Sequence, residues 1–160
     1  MTPSTDAQGN PTDEDVRWMR RCLELAAEAA AEDEVPVGAV VVRDGELLGE
    51  ARNRCEVDKC SILHAELLAL QAACAHTGDK RLPGAVLYCS LEPCFQCAGA
   101  ALHSRVARIV YGARDPKFGA CGSLARLPED PRLNHRCDVV EGVLADESAA
   151  MLRAFFQRLR

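Results

Sequence analysis

The sequence predicts an α/β fold in which one mixed sheet carries helices on both faces. Helix-like and strand-like patterns alternate along the chain in the order α-β-β-α-β-α-β-β-α, which is typical of this architecture. The run VGAVVV at residues 37–42 is apolar throughout and predicts a central strand that is covered on both sides. The chain has 160 residues, the length of one domain.

The first half of the chain predicts two helices and a hairpin. A helix is expected over residues 13–31, where apolar positions recur every three or four residues after an acidic start. The strands at 37–42 and 46–51 flank Asp44-Gly45, a strong signal for a hairpin turn. A second helix is expected from about residue 61 to residue 75.

The second half predicts a strand, a helix, a strand, a long loop, a strand and a final helix. These are expected at residues 86–90, 93–102, 107–111, 112–136, 137–142 and 146–159. Pro93 opens the first of these helices, because a proline in the first turn costs no hydrogen bond. The loop contains six Gly or Pro residues, and structured loops of this length are usually functional.

The composition predicts a soluble, cytoplasmic protein without a membrane segment. Hydrophobic residues make up 48% and charged residues 27%, and there is no run of 18 apolar residues. Residues 1–12 are polar and predict a disordered lead-in rather than a signal peptide, ahead of a single domain at 13–160. Nine cysteines, an odd number, do not predict a disulfide framework in such a chain.

The charge is distributed unevenly along the chain. The net charge is −5 overall, but it is −8 for residues 1–50, zero for 51–100 and +3 for 101–160. The last third therefore presents either a basic face for phosphate groups or an ordinary solvated, arginine-rich surface, and charge alone favours the second interpretation.

Two short motifs contain potential metal ligands. LHAE supplies His64, and LEPCFQC supplies Cys94 and Cys97 near the start of a predicted helix. A CxxC pair alone is consistent with a redox dithiol, a zinc site or coincidence, and a lone histidine is more often a hydrogen-bonded side chain. Together the three residues make an incomplete tetrahedral set, which is typical of a catalytic rather than a structural zinc ion.

Glu66 lies two residues after the candidate histidine ligand. It is either an exposed acid in a first helical turn or a carboxylate that moves protons beside the metal. A zinc-activated water needs such a partner when it attacks a ring carbon. The combination of HxE with PCxxC is the signature of the zinc nucleobase deaminases, and it favours the catalytic role for Glu66.

Further segments resemble one family. They are EVPVGAV, ARNR, LHAELLAL, LYCSLEPCFQCAGAALHSR, YGARDPKFGACGSL, PRLNHR and EGVLADESAAMLRAFF. Across about residues 14–160 the chain is similar to the bacterial tRNA-specific adenosine deaminases. The resemblance implies a cytidine-deaminase-like three-layer sandwich with a five-stranded sheet, a homodimer, and one Zn²⁺ per subunit. It also implies hydrolytic deamination of adenosine to inosine at wobble position 34, on the anticodon stem-loop of a tRNA.

The resemblance also assigns roles by position. His64, Cys94 and Cys97 would bind zinc, and Glu66 would shuttle protons. Asn53 would hydrogen-bond the flipped purine, Asp115 would face the flanking nucleotides, and Phe156 would help to hold the anticodon loop. Without the family, Asn53 is equally well a turn residue at the end of the hairpin, and Phe156 is more simply a core residue.

One stretch departs from the family pattern. Family members usually have Asp-Pro-Thr-Ala before the histidine, whereas this chain has Cys60, Ser61, Ile62 and Leu63. Ser61 is expected to cap the second helix in place of the lost residues. This change keeps open a second function, the deamination of a free base or nucleoside such as guanine. A zinc-bound RNA-binding protein without catalysis is a third hypothesis, which the presence of Glu66 disfavours.

Overall fold

The computed structural model describes residues 11–159 and contains one mixed sheet between two layers of helices. The nine main elements are α1 (Asp13–Ala31), β1 (Gly38–Arg43), β2 (Glu46–Arg52), α2 (Ala65–Thr77), β3 (Val86–Leu91), α3 (Phe95–His103), β4 (Arg108–Ala113), β5 (Asp138–Val140) and α4 (Ala145–Arg158). A short 3-10 helix, Leu127–Glu129, precedes β5. The predicted α/β fold and its order of elements are confirmed.

The sheet has the strand order β2-β1-β3-β4-β5. β1 pairs antiparallel with β2 and β3, while β4 pairs parallel with β3 and β5. The hairpin between β1 and β2 turns at Asp44 and Gly45, whose φ angles of 51° and 77° are both positive, as a tight two-residue turn requires.

The central strand β1 contributes side chains to both layers. Ala39 and Val41 pack on the side of α2 and α3, whereas Val40 and Val42 pack on the side of α1 and α4. All four are at most 2% exposed. The uninterrupted apolar run therefore corresponds to a strand that is covered on both faces, as predicted.

Gly49 sets the distance between β2 and α2. A Cβ atom at this position would lie 2.6 Å from the carbonyl oxygen of Ala69 and 2.7 Å from the backbone nitrogen of Ala73. The strand and the helix thus meet backbone to backbone near their middles.

A buried ion pair fixes the N-terminal end of α1. Asp15 accepts hydrogen bonds from Arg108 on β4 at 3.2 Å and from the Tyr88 hydroxyl on β3 at 2.8 Å. The Asp15 and Arg108 side chains are 0% and 2% exposed. Thr12 and Asp15 also form a capping box. Residues 1–10 of the predicted disordered lead-in lie outside the described residues.

Helices α2 and α3 begin later than predicted. Residues 61–64 form turns instead of a helical start, because Leu63 N–H donates to the Cys60 carbonyl and His64 N–H donates to the Ile62 carbonyl. Ser61 does not cap α2; the N-cap residue is His64, and its side chain makes no capping hydrogen bond. Likewise α3 begins at Phe95 rather than at Pro93.

Two predictions about the chain as a whole can be compared with the structure. None of the helices within residues 11–159 is long and apolar enough to span a membrane. All nine cysteines are free thiols, in agreement with the expectation that the chain has no disulfide framework.

Candidate metal and active site

The starts of two helices bring three potential metal ligands together. His64 is the N-cap residue of α2, Cys94 is the N-cap residue of α3, and Cys97 lies in the first turn of α3. The His64 Nδ1 atom is 3.5 Å from the Sγ atom of each cysteine. All three ligand atoms lie within 4.8 Å of one another.

The geometry and the ionisation of this set both fit zinc. Zn–S and Zn–N bonds of about 2.3 and 2.0 Å in a tetrahedral arrangement separate sulfur from nitrogen by about 3.5 Å, the same as the spacing in the structure. A hydrogen bond from the Cys97 thiol, together with one from His64, lowers the pKa of Cys94 to about 4. The same Cys94–Cys97 hydrogen bond and burial raise the pKa of Cys97. The two sulfurs therefore share one proton, and a bound cation would stabilise both as thiolates.

Glu66 lies beside the three ligands in the first turn of α2. Its side chain is buried, and burial raises its pKa to about 7. The backbone N–H of Glu66 itself and the charge of His64 act in the opposite direction, toward a lower pKa. A carboxyl group with a pKa near neutrality can both take up and release a proton.

Asn53 connects the end of β2 to the start of α2. Its side chain is 8% exposed, with Oδ1 accepting from Ala65 N–H at 2.8 Å and Nδ2 donating to the Val35 carbonyl at 3.1 Å. Ala65 is the residue between His64 and Glu66. Asn53 therefore fixes the backbone that carries the candidate ligand and the candidate proton shuttle.

Glu92 anchors the loop that follows β4. Its buried carboxylate accepts hydrogen bonds from the backbone N–H groups of Asp115, Cys121 and Ser123, at 2.9 to 3.1 Å, and from the Ser123 hydroxyl. A side chain at Gly119 would overlap the Glu92 carboxyl group. Because Glu92 precedes Pro93 and Cys94 directly, the loop is held against the metal-ligand cluster.

The other two candidate substrate contacts lie in different surroundings. Asp115 Oδ1 accepts the N–H groups of Lys117 and Phe118 and so shapes the tip of the loop held by Glu92. Phe156 is 47% exposed on α4 and lines a groove with Val57. The alternative of a core position for Phe156 is wrong, because the neighbouring Phe155 is buried while Phe156 remains about half exposed.

The stretch that departs from the family pattern lies between the two helix starts. The Ile62 carbonyl accepts a hydrogen bond from Gln96 on α3 at 2.9 Å. The Ile62 side chain is 52% exposed, and with Leu63 and Leu67 it lines an apolar groove between α2 and α3.

Comparison with known proteins places this site in a family. A family model described as MafB19-like deaminase matches residues 13–160. The tRNA-specific adenosine deaminase of Bacillus subtilis (strain 168) is 46% identical over 147 residues, which cover 92% of this chain and 91% of the relative. The chain belongs to the tRNA-specific adenosine deaminase family. The resemblance found in the sequence is confirmed, and the chain is an enzyme.

Solved structures of two kinds of deaminase have folds similar to that of this chain. A chain from a study of A-to-I editing by tRNA:A34 deaminases at the wobble position matches with a TM-score of 0.81 and 42% identity, covering 85% of this chain and 99% of that one. A guanine deaminase from Nitrosomonas europaea matches with a TM-score of 0.72 and 29% identity, covering 88% of this chain and 83% of that one.

The sequence did not predict the two buried glutamates that hold the loops around the site. Buried Glu34 accepts the N–H groups of Glu56 at 2.8 Å and Val57 at 2.7 Å, and so anchors the loop after β2. The Glu92 side chain does the same for the loop after β4. The only signal in the sequence was a glutamate beside an apolar strand, which is not distinctive because glutamate is common at strand ends.

Proposed function

We propose that this chain hydrolyses adenosine to inosine at wobble position 34 of tRNA. The observation that carries the proposal is the convergence of His64, Cys94 and Cys97 beside the buried Glu66 in a member of the tRNA-specific adenosine deaminase family. The names of the relatives support the substrate, because both the Bacillus subtilis enzyme and the matching A34 deaminase structure act on tRNA.

His64, Cys94 and Cys97 would hold one zinc ion in each subunit. Bound zinc supplies a Lewis acid that makes water nucleophilic at neutral pH. The donor set supports this assignment, since an imidazole nitrogen and two sulfurs are ligands that zinc prefers. Three protein ligands also leave room for a reactant, as expected of a catalytic centre.

Glu66 would carry the protons of the reaction. The oxygen of water adds to C6 of adenine as Glu66 removes a proton from it. Glu66 gives this proton to the ring nitrogen. It then takes the remaining proton from the hydroxyl group on C6 and gives it to the amino group, so that the C6–N bond breaks, a C6 carbonyl forms and ammonia leaves. Its burial beside the metal ligands and a pKa of about 7 suit a group that both accepts and donates.

The remaining roles extend from this centre. Asn53 accepts a hydrogen bond from Ala65, which follows His64, and the N–H of Asp115 donates to Glu92, which lies two residues before Cys94. We assign Asn53 to the target base and Asp115 to the nucleotides that flank it. Phe156 would contact the anticodon loop from α4.

The exposed apolar groove between α2 and α3 supports a homodimer, which light scattering on the 17.3 kDa chain would detect. Nine free thiols support a reducing, cytoplasmic location.

A Glu66→Gln variant tests the catalytic assignment. The glutamine keeps the size of the side chain but cannot move protons, so the variant should retain one zinc per subunit and lose inosine formation by at least about 100-fold. Zinc is measured by atomic emission and inosine by mass. Unchanged turnover in a variant that still binds zinc would overturn the role of Glu66.

Guanine deamination is the second candidate function. The match to the Nitrosomonas europaea guanine deaminase and the changed residues 60–63 favour it. A panel of anticodon stem-loops with A or C at the wobble position, together with free adenosine, guanosine, guanine and cytidine, separates the two. Inosine in the A-containing loop alone supports tRNA editing. Turnover of guanine without any deamination of the stem-loops would refute tRNA editing and support guanine deamination.

A further inference from the structure

Two exposed aromatic side chains lie next to the metal-ligand cluster. Phe118, at the tip of the loop after β4, is 67% exposed, and Phe95, the first residue of α3, is 49% exposed. The chain has only four phenylalanines and one tryptophan. Large apolar side chains that remain exposed beside a functional site commonly mark a binding surface.

A backbone bridge joins the sequence neighbours of these two phenylalanines. Cys94 and Gly119 form an antiparallel bridge, and the N–H of Ala120 donates to the Pro93 carbonyl at 2.9 Å. Phe118 directly precedes Gly119 in this isolated bridge, and Phe95 directly follows the candidate ligand Cys94 as the first residue of α3.

The exposure of Phe118 is a fixed feature of the loop. Asp115 Oδ1 accepts the Phe118 N–H at 3.2 Å and the Lys117 N–H at 3.1 Å, and the Asp115 carbonyl accepts the Gly119 N–H at 2.9 Å. The loop is also tied to Glu92 at the Asp115 N–H. The turn is therefore held at both ends while the phenyl ring points away from the core.

We propose that Phe118, with Phe95 on the other side of the Cys94–Gly119 bridge, forms an aromatic platform that stacks on a nucleobase flanking the target nucleotide of an RNA loop. The inference rests on the proposed function. A base that enters the metal site from a loop leaves its neighbours at the rim of the site, where a flat apolar ring can stack on any of them. Lys117, adjacent in sequence and exposed, adds a positive charge for the phosphate backbone.

A series of substitutions at Phe118 tests the platform. Loss of base–aromatic stacking weakens binding by about 5- to 100-fold, so Phe118→Ala and Phe118→Leu should raise KM for the stem-loop by that factor, with kcat and zinc content unchanged. Phe118→Trp should retain the wild-type KM, because it keeps a stacking face. Leu124→Ala is the matched control, since Leu124 is a 55% exposed apolar residue on the same loop region and should have no effect.

An abasic substrate identifies the stacked base. Stem-loops that lack the base on one side of the target, or on the other, are assayed with the wild-type protein and with Phe118→Ala. If Phe118 stacks on that base, its removal abolishes the difference between the two proteins, as in a double-mutant cycle. A KM difference that persists with both abasic loops overturns the stacking role.

The remaining outcomes are separable. A wild-type protein that does not deaminate the stem-loop at all refutes the proposed function rather than this inference alone. An active wild-type protein whose Phe118→Ala variant has KM within twofold of it refutes only the platform. A change from dimer to monomer in Phe118→Ala, measured by light scattering, would show that a second copy of the chain covers this ring, and it would also refute the platform.

Discussion

Replacing Asn53 with alanine tests whether the hydrogen bonds of this side chain stabilise the folded site. The amide accepts a hydrogen bond from Ala65 N–H, which is fully buried, and donates one to the Val35 carbonyl. A buried donor that loses its partner costs about 1–3 kcal/mol, and the second lost hydrogen bond about 1 kcal/mol. Asn53→Ala should therefore lower the free energy of unfolding by about 2–4 kcal/mol.

Urea unfolding of the zinc-loaded protein measures this change. With an m-value of about 2 kcal/mol/M for a domain of this size, the midpoint should fall by about 1–2 M while the slope stays constant. Asn53→Asp keeps an oxygen for Ala65 N–H and should recover part of the loss. Asn134→Ala, at an exposed loop position, is the control and should change stability by less than about 0.5 kcal/mol. A loss below about 0.5 kcal/mol for Asn53→Ala would refute the structural role and leave the amide free for the substrate.

Three further changes have defined outcomes. Gly49→Ala should destabilise the fold by about 1–3 kcal/mol, because the new Cβ meets the α2 backbone at 2.6 Å, whereas Gly99→Ala, with no atom within 4 Å, should not lower the melting temperature. Asp15→Asn should cost about 3 kcal/mol or more in urea unfolding, since it removes the carboxylate of a buried ion pair with Arg108, while the exposed Asp13→Asn should cost little. A zinc chelator should abolish deamination and lower the melting temperature, and added Zn²⁺ should restore both; a fully active protein without metal would contradict the assignment of the ligands.

The sequence contains local information that predicts most of the fold. Residues 37–42 predict a strand covered on both faces, and Asp44-Gly45 predicts the turn that follows, because each depends only on neighbouring residues. The start of α2 was not predictable, since hydrogen bonds within residues 60–64 and the distant side chain of Asn53 decide it.

The candidate site divides in the same way. His64, Glu66, Cys94 and Cys97 are recognisable by their spacing. The supporting carboxylate of Glu92 is not, because its hydrogen-bond partners lie 23 to 31 residues further along the chain. The pair of Asp15 and Arg108 joins residues 93 positions apart, and no local pattern indicates such a contact.

The loop after β4 is attached in a way that separates chemistry from specificity. Glu92 holds the loop mainly through backbone N–H groups, which every residue except proline supplies. The side chains at the tip, from Pro116 to Phe118, take no part in that attachment. Mutation can therefore exchange the tip residues without displacing Cys94 or the reaction centre, and with the proposed stacking role of Phe118 such an exchange would change the set of RNA loops that is accepted. An enzyme built on this plan can acquire a new substrate through a few surface substitutions and keep its mechanism intact.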